Sequence, residues 1–185
     1  LFYSVKDPLS NFYPCVFYYL GKPYLSVEHF YVTQKLIAMN CLNELAKLNA
    51  CLKGSNFLNS FLYGKITAQE IQENPTYLEW FHNYMKQIKE FGRTRNGDIA
   101  KWENVKVKVM ELGLSLKFNN EDMKQVLLDT KDDILVECSP YDYFWGVGMS
   151  KHSTKEYIEE DIFNELRKGL NQLGKSLMKI RQSII

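Results

Sequence analysis

The sequence predicts a predominantly helical α+β domain, on three observations. Long stretches carry apolar residues at helical spacing, and several of them follow residues that favour a helix N-cap. The β-branched and aromatic composition of strands is confined to short segments, at residues 15–20, 23–25 and 134–138. The 185 residues are 45% hydrophobic, which suits one compact domain over residues 1–185.

The first elements lead into one helix that organises the rest. Prolines and a Ser-Asn pair predict a loop over residues 7–14, and a Gly-Lys turn joins the two short strands that follow. Ser26 is suited to cap a helix that runs to about Met39. Glu28 falls in the first turn of this helix, where the helix dipole favours a negative charge.

One face of this helix carries reactive side chains. At about 100° per residue, Glu28, Tyr31 and Lys35 lie on the same face. The apolar residues on other azimuths are expected to bury the helix: Val27, Phe30, Leu36 and Ile37. Acids and amines beside so many apolar residues are costly unless paired or used, which favours a functional face. An exposed Glu-Lys pair is the alternative that the spacing alone leaves open.

The middle of the chain, over residues 40–90, is predicted to form a run of short helices. A capping-box spacing begins one of them at Thr67. Pro75 breaks the chain before an amphipathic helix over residues 77–88.

Two arginines mark the polar loop over residues 91–98. Arg93 and Arg95 occupy alternate positions, from which guanidinium groups can clamp phosphate oxygens bidentately. A solvated loop is the alternative that this pair leaves open.

The C-terminal part is predicted to contain helices, one strand and an aromatic loop. Asp98 caps the first helix, and a short strand follows at residues 134–138. The loop over residues 139–148 contains an acid, several aromatic rings and two glycines. This composition is compatible with two roles, a wall of the site or a surface turn. A helix over residues 155–167 and a final helix that ends at about Ser183 complete the chain.

Charge and cysteine pattern exclude several classes of protein. A formal net charge of +1 provides no broad cationic field, so a nucleic-acid substrate would be held locally. No apolar run approaches the roughly 18 residues of a membrane span. Four cysteines without a CxxC spacing and three histidines argue against a zinc site and a disulfide framework. We expect a cytoplasmic or other reducing intracellular compartment, and neither a metal nor another cofactor.

Several separated blocks of the chain share a recognisable order and local spacing. They are Pro8 to Pro14; Ser26 to His29 with Gln34-Lys35; Gly92 to Arg95 with Lys101 to Glu103; Leu135 to Glu137 with Asp142 and Trp145-Gly146; and Gly169, Asn171, Leu173-Gly174, Leu177-Met178 and Arg181. Together these blocks resemble the NADAR family, the YbiA-like N-glycosidases. Two segments, at about residues 40–90 and 150–168, are longer than compact members need and are predicted to form helical insertions near the mouth of the site.

The resemblance implies a compact, mostly helical α+β fold and cleavage of an N-glycosidic bond at a ribose. The acids and the helix lysine of the family fall on Glu28, Asp142 and Lys35, which we assign as catalytic. The substrate-binding candidates are Ser10, Asn11, Phe12, Tyr31, Arg93, Arg95, Trp102, Trp145, Gly146 and Asn171. Within this set the tryptophans are expected to stack on the base, the arginines to hold phosphate, and Asn11 to bond ribose hydroxyls or base edges.

The implied reaction leaves two routes open. Breaking a ribose C1–N bond builds positive charge at C1, which a carboxylate can stabilise, and we assign the proton transfer to Glu28. Alternatively, Lys35 attacks C1 of a ring-opened ribose to form a Schiff base that water later releases. Glu28 nearby favours the charged amine whereas desolvation favours the neutral one, and the sequence leaves open which effect wins.

Three functions are therefore carried forward. The first is removal of ADP-ribose from guanine in a nucleoside, nucleotide or DNA, which the forms of the SVEH and LSNFYP blocks favour. The second is the same cleavage on phosphoribosylamino-pyrimidines of riboflavin biosynthesis, and the third is a non-catalytic module that binds ADP-ribose or NAD. We predict that Glu28, Lys35 and Asp142 meet at one sugar carbon, an arrangement that a non-catalytic module does not need.

Overall fold

The structure is a computed structural model that describes residues 1–184. It is 58% helical with one two-stranded sheet, which confirms the predicted α+β class. The chain divides into two compact units: residues 11–119 form one, and Leu1–Ser10 with the residues from Asn120 onward form the other. Among the described residues, no helix has the length and apolar character needed to cross a membrane.

The unit of residues 11–119 is a hairpin followed by six helices. In order, its elements are β1 (Phe17–Tyr19), β2 (Lys22–Tyr24), α1 (Val27–Ala38), α2 (Leu42–Lys53), α3 (Asn56–Leu62), α4 (Ala68–Glu73), α5 (Pro75–Phe91) and α6 (Ile99–Phe118). The two strands are antiparallel, with Phe17 opposite Tyr24. Helix α1 packs against α5, α6 and α2, so the helix predicted to organise the chain lies at the centre of this unit.

The other unit has less regular structure. Its helices are α7 (Glu121–Leu128), α8 (Lys151–Glu159), α9 (Phe163–Leu166) and α10 (Gln172–Ser183). A single parallel β-bridge joins Phe2 to Glu137, and α7 contacts α10.

Helix α1 is buried largely as its sequence predicts. Ser26 is its N-cap, and Val27, Phe30 and Leu36 are completely buried. The Phe30 ring makes edge contacts with Tyr19 at 5.4 Å and with Tyr24 at 5.1 Å, which ties the helix to the hairpin. The prediction that Ile37 is buried was wrong. Its side chain is 47% exposed, because it faces an open cavity lined by α1, α2 and α3.

Two other predicted elements were wrong. Residues 134–138 form no ladder beyond the bridge to Phe2, because the backbone N–H of Glu137 donates to the Asn171 side chain at 3.0 Å instead of to a strand. The single helix over residues 155–167 is two helices. Asp161 between them adopts a left-handed conformation (φ 58°), which a continuous helix excludes.

Helix starts in both units follow local capping chemistry. The Thr67 capping box is complete, and Asp98 and Asn120 cap α6 and α7 through their side chains. Pro75, predicted only as a break, occupies the first turn of α5 after the Asn74 cap.

Burial of His29 predicts a loss of stability in mild acid. The side chain is 4% exposed, its Nδ1 accepts from the Leu25 backbone N–H at 3.2 Å, and burial lowers its pKa to about 4. At pH values between about 4 and the usual pKa of about 6.5, His29 is protonated in the unfolded chain but neutral in the folded chain. Acid therefore favours unfolding. We expect the free energy of unfolding to fall by about 3 kcal/mol from this residue as the pH drops from about 7 to about 4.

Urea unfolding at several pH values checks this expectation. A His29→Gln variant should be less stable at neutral pH but flatter in its pH dependence. His152→Gln is the control, because that side chain is 84% exposed and should leave the slope unchanged. A His29→Gln variant that keeps the slope of the unaltered protein would contradict the assignment.

Candidate active site

The first turn of α1 places Glu28 at a fixed position. Ser26 Oγ accepts from the His29 backbone N–H at 3.1 Å and lies 3.0 Å from Met85 Sδ on α5. The Glu28 backbone N–H donates to the Asn11 carbonyl at 3.0 Å, which joins this turn to the preceding loop. Glu28 is 8% exposed, so its carboxylate is held in a poorly solvated position at the positive end of a helix.

Two turns later, Lys35 is half-buried and held by the end of α5. Its Nζ donates to the Gly92 carbonyl at 2.6 Å. Burial lowers the pKa of Lys35 below its usual value, although the charges of Glu103 and, more weakly, Glu28 act to raise that pKa. Desolvation, with a smaller contribution from Lys106, therefore outweighs the neighbouring acids in the direction of this pKa shift.

A cavity of about 330 Å³ adjoins this amine. Four predicted site residues are among those that line it: Lys35, Arg93, Arg95 and Trp102. The other lining residues are Met39, Thr94, Ile99 and Glu103. The cavity thus brings together an amine, two guanidinium groups, an indole and a carboxylate.

The arginine loop is held against the C-terminal end of α1. The backbone N–H of Asp98 donates to the Met39 carbonyl, and Cys41 Sγ donates to the Asn96 carbonyl at 3.1 Å. Gly97 has φ 83°, and a Cβ at this position would lie 2.0 Å from the Met39 carbonyl oxygen, so only glycine allows this approach. The loop is therefore anchored through its backbone to the end of α1, while its two arginine side chains stay exposed at the cavity.

The two arginines differ in their surroundings. Arg93 is paired with Glu90 at 2.6 Å, but both side chains are more than half exposed, so the pair contributes little to stability. Arg95 is also exposed. Both guanidinium groups can therefore turn toward an anion without a large loss of folding free energy.

Trp102 forms one wall of the cavity and is itself fixed. The indole is 3% exposed and makes an edge contact with the Tyr31 ring at 4.9 Å. Tyr31 lies on the same face of α1 as Glu28 and Lys35, so it supports the wall from that side. A base in the cavity would meet an indole that burial and the Tyr31 ring already hold in place.

The loop before the hairpin and the neighbouring helix α5 each contain one buried polar atom without a partner among the described residues. Asn11 is 8% exposed; its Nδ2 lies 3.4 Å from Met110 Sδ, and its Oδ1 has no hydrogen-bond partner among the described residues. The ring of Phe12 lies 6.2 Å from that of His82, whose buried Nδ1 likewise lacks a partner in the described part of the chain. Unpaired buried polar groups cost about 1–3 kcal/mol each, which favours their use by a ligand.

In the other unit, Asp142 has a local structural role. Its Oδ1 accepts from the backbone N–H groups of Phe144 at 3.0 Å and Trp145 at 2.7 Å, which closes the aromatic loop. The carbonyls of the same two residues accept from Gln172 and Leu173 in the first turn of α10. The catalytic assignment of Asp142 stays a prediction.

Asn171 and Gly146 hold the same region together. The Asn171 amide uses both ends, with Oδ1 accepting from the Glu137 N–H and Nδ2 donating to the Leu135 carbonyl at 2.8 Å. A Cβ on Gly146 would lie 2.9–3.0 Å from Ser139 and from the carbonyls of Glu137 and Asp142. Both residues are required by packing, and their predicted contact with substrate stays a prediction.

The remaining predicted residues of this unit are Ser10 and Trp145. Ser10 is 5% exposed, and its N–H donates to the Asp7 carbonyl at 2.9 Å. The half-buried Trp145 ring contacts Phe144 edge-on at 4.9 Å. Their roles in binding also stay predictions.

Glu103 and His82 are site candidates that the sequence did not identify. Glu103 lines the cavity and is the strongest acidic influence on Lys35. Its place in the Lys101 to Glu103 block was a usable signal. No sequence feature distinguishes His82 from other polar residues of α5.

The two charged neighbours of Lys35 on α6 should shift its pKa in opposite directions. Glu103 raises the pKa of Lys35 and Lys106 lowers it. A Glu103→Gln variant should therefore titrate Lys35 at lower pH, and Lys106→Gln at higher pH, as followed by the chemical shift of the labelled Lys35 Cε. Glu90→Gln is the control, because Glu90 is exposed and pairs with Arg93. Shifts of the same sign in the first two variants would refute this electrostatic description.

Comparison with known proteins places this chain among similar sequences and folds. The family profile described as the NADAR domain matches residues 1–185. A Nostoc punctiforme protein named N-glycosidase Npun_R5314 is 26% identical over 187 residues, which cover 99% of this chain and 90% of that protein. The chloroplastic riboflavin biosynthesis protein PYRR of Arabidopsis thaliana is 36% identical over 85 residues, 45% of this chain and 12% of that protein. The NMR structure of the E. coli protein YbiA has a TM-score of 0.58 and 25% identity, covering 99% of this chain and 82% of that one.

Proposed function

The chain belongs to the NADAR domain family, and we propose that it is an N-glycosidase that removes ADP-ribose from ADP-ribosylated guanine. A relative that spans almost the whole chain and is named an N-glycosidase supports the activity. The forms of the SVEH and LSNFYP blocks favour ADP-ribosylated guanine as the substrate, and the two arginines of the cavity suit its two phosphates.

One observation carries the proposal: a half-buried amine of lowered pKa lines a cavity together with two arginines and a tryptophan. The amine and the nearby acid of Glu28 supply groups for the chemistry at a sugar carbon. Two guanidinium groups suit the two phosphates of ADP-ribose, since each can bind one phosphate bidentately. The small exposed part of the Trp102 indole, which lines the cavity, can contact a base.

Lys35 can act as the nucleophile in a balanced sequence of steps. Opening of the ribose ring leaves C1 double-bonded to the nitrogen of the guanine. Glu28 first takes a proton from the Lys35 ammonium, and the freed Nζ lone pair adds to C1. The C1–N bond to the base then breaks, and the base leaves as its free amine with one proton from Nζ and the other returned by Glu28. Water then adds to the Schiff base, which releases the sugar aldehyde and restores the amine.

Riboflavin-pathway chemistry is the second candidate. A plant relative is named a riboflavin biosynthesis protein, and a cavity of about 330 Å³ lies at the small end of ligand sites, enough for a sugar with one phosphate. ADP-ribose would have to extend beyond this cavity along the exposed arginine loop.

Two substrates offered to the same preparation separate these candidates. Purified protein receives ADP-ribosyl-guanosine or the phosphoribosylamino-pyrimidine, and the released base is followed by chromatography. We expect kcat/KM to be higher for the guanosine. Faster release of the pyrimidine would favour the second candidate. Release from neither, with tight ADP-ribose binding by calorimetry, would favour a non-catalytic module.

A further inference from the structure

A second and larger cleft lies along α5, within the segment predicted as an insertion. It has a volume of about 500 Å³ between α5 and the turn that joins α2 to α3. Three aromatic side chains line it, Phe57, Trp80 and Tyr84, together with three carboxamides, Asn56, Asn83 and Gln87. None of the lining residues in the described part of the chain is charged.

The aromatic groups form a preassembled platform. The rings of Phe57 and Trp80 meet edge-on at 5.6 Å, and Tyr77 contacts both, at 5.4 Å and 5.8 Å. Trp80 is nevertheless 47% exposed, which is unusual for so large an apolar side chain already in a cluster. Its outer surface is therefore available to a planar ligand without repacking of the core.

The carboxamides determine which ligand chemistry fits. Asn and Gln each provide a donor and an acceptor, which match the mixed donor and acceptor edges of nucleobases. One of them is oriented, because Cys51 Sγ donates to Gln87 Oε1 at 3.2 Å. Aromatic faces with neutral amides, and no cation, suit a base and not its phosphate.

The position of the cleft connects it to the candidate active site. Gln87 and Trp80 precede Gly92, whose carbonyl binds Lys35, by five and twelve residues on the same helix. At 1.5 Å per residue these separations are about 8 Å and about 18 Å along α5. They correspond to about two to five nucleotides of a stacked strand at roughly 3.4 Å each.

We propose that the cleft lined by Trp80, Tyr84 and Phe57 binds an unpaired base of a single-stranded nucleic acid, a few nucleotides from the base that is cleaved. This inference rests on the proposed function, which it deepens by naming a strand as a substrate. It also gives a protein of net charge +1 a contact with a strand that needs no broad cationic field, since bases stack on aromatic side chains.

Two measurements test the cleft directly. Binding of an unmodified deoxyribonucleotide strand of about eight residues, a length within the range of single-strand sites, is followed by tryptophan fluorescence. Trp80→Ala should weaken Kd about tenfold, the effect of one stacked base, and by the same factor at low and at high salt. Trp80→Phe should retain much of the affinity. Tyr18→Ala, which removes another exposed ring of the same unit, should retain all of it.

The second measurement separates failure of the cleft from failure of the enzyme. With a strand that carries ADP-ribosyl-guanine, Trp80→Ala should raise KM about tenfold, whereas KM for ADP-ribosyl-guanosine should stay unchanged. Normal cleavage of both substrates by Trp80→Ala overturns the inference and leaves the proposed function intact. Strand binding that depends on Trp80, without cleavage of either substrate, supports the cleft and refutes the proposed function. Quenching by a neutral oligosaccharide but not by the strand also overturns the inference.

Discussion

A Glu28→Gln variant is expected to release the base about 10² to 10⁴ times more slowly than the unaltered protein, the range for loss of a positioned proton-transfer group. The amide has nearly the shape of the carboxylate but cannot pass a proton to the departing nitrogen. Its position should be unchanged, because the backbone N–H of residue 28 is bound to the Asn11 carbonyl and Ser26 still caps the helix. Single-turnover release of guanine from ADP-ribosyl-guanosine measures the effect.

Stability must be followed in the same variant. Loss of a negative charge from the first turn removes a favourable interaction of about 0.3–1 kcal/mol with the helix dipole, so the melting temperature should fall only slightly. Glu79→Gln, at an exposed position of α5, is the matched control and should leave turnover unchanged. Full turnover by Glu28→Gln would exclude this carboxylate from proton transfer.

Helix α1 could be predicted in detail because its signals are local. The cap at Ser26, the acid in the first turn and the apolar spacing all act within about a dozen residues. The same is true of the capping box at Thr67. Where longer-range contacts decide, prediction failed: the segment over residues 134–138 has a strand-like composition, but Asn171 takes the hydrogen bond that a neighbouring strand would have used.

The direction of the Lys35 pKa shift could not be predicted from sequence. It depends on burial beneath a loop nearly sixty residues away and on the charge of Glu103, which is farther still along the chain. The helical spacing identified Glu28 as the acid near Lys35. In the structure, Glu103 has the stronger effect on the pKa of Lys35. The position of the unpartnered His82 Nδ1 is equally non-local, because it follows from how α5 packs against Phe12.

Asp142 shows the opposite case, in which local chemistry was overlooked. An aspartate whose carboxylate binds the backbone N–H groups two and three residues later forms a common turn that the sequence Asp-Tyr-Phe-Trp permits. The resemblance directed attention to its possible role in catalysis. Its established contacts are structural, so Asp142→Asn, which keeps an acceptor oxygen, is the substitution that can separate the two roles.

A Lys35→Ala variant should lose turnover by a factor on the order of 10² to 10⁴ and should no longer be trapped by borohydride. Borohydride delivers hydride to the Schiff-base carbon and fixes the sugar to Nζ as a secondary amine, which mass spectrometry detects as an adduct on this residue. The unaltered protein should form this adduct during turnover. Because burial lowers the pKa of Lys35, the trapping rate should level off at a lower pH than for an ordinary lysine.

Lys35→Arg decides between two roles for this side chain. Arginine keeps a positive charge and can still donate to the Gly92 carbonyl, but its guanidinium does not lose a proton in proteins and so cannot attack C1. If Lys35 is the nucleophile, Lys35→Arg should be as inactive as Lys35→Ala, and a small primary amine should partly restore turnover only in the alanine variant. An active Lys35→Arg variant would instead make residue 35 a cation that stabilises charge, with water attacking C1 directly. An adduct that persists in Lys35→Ala would place the nucleophile on another amine.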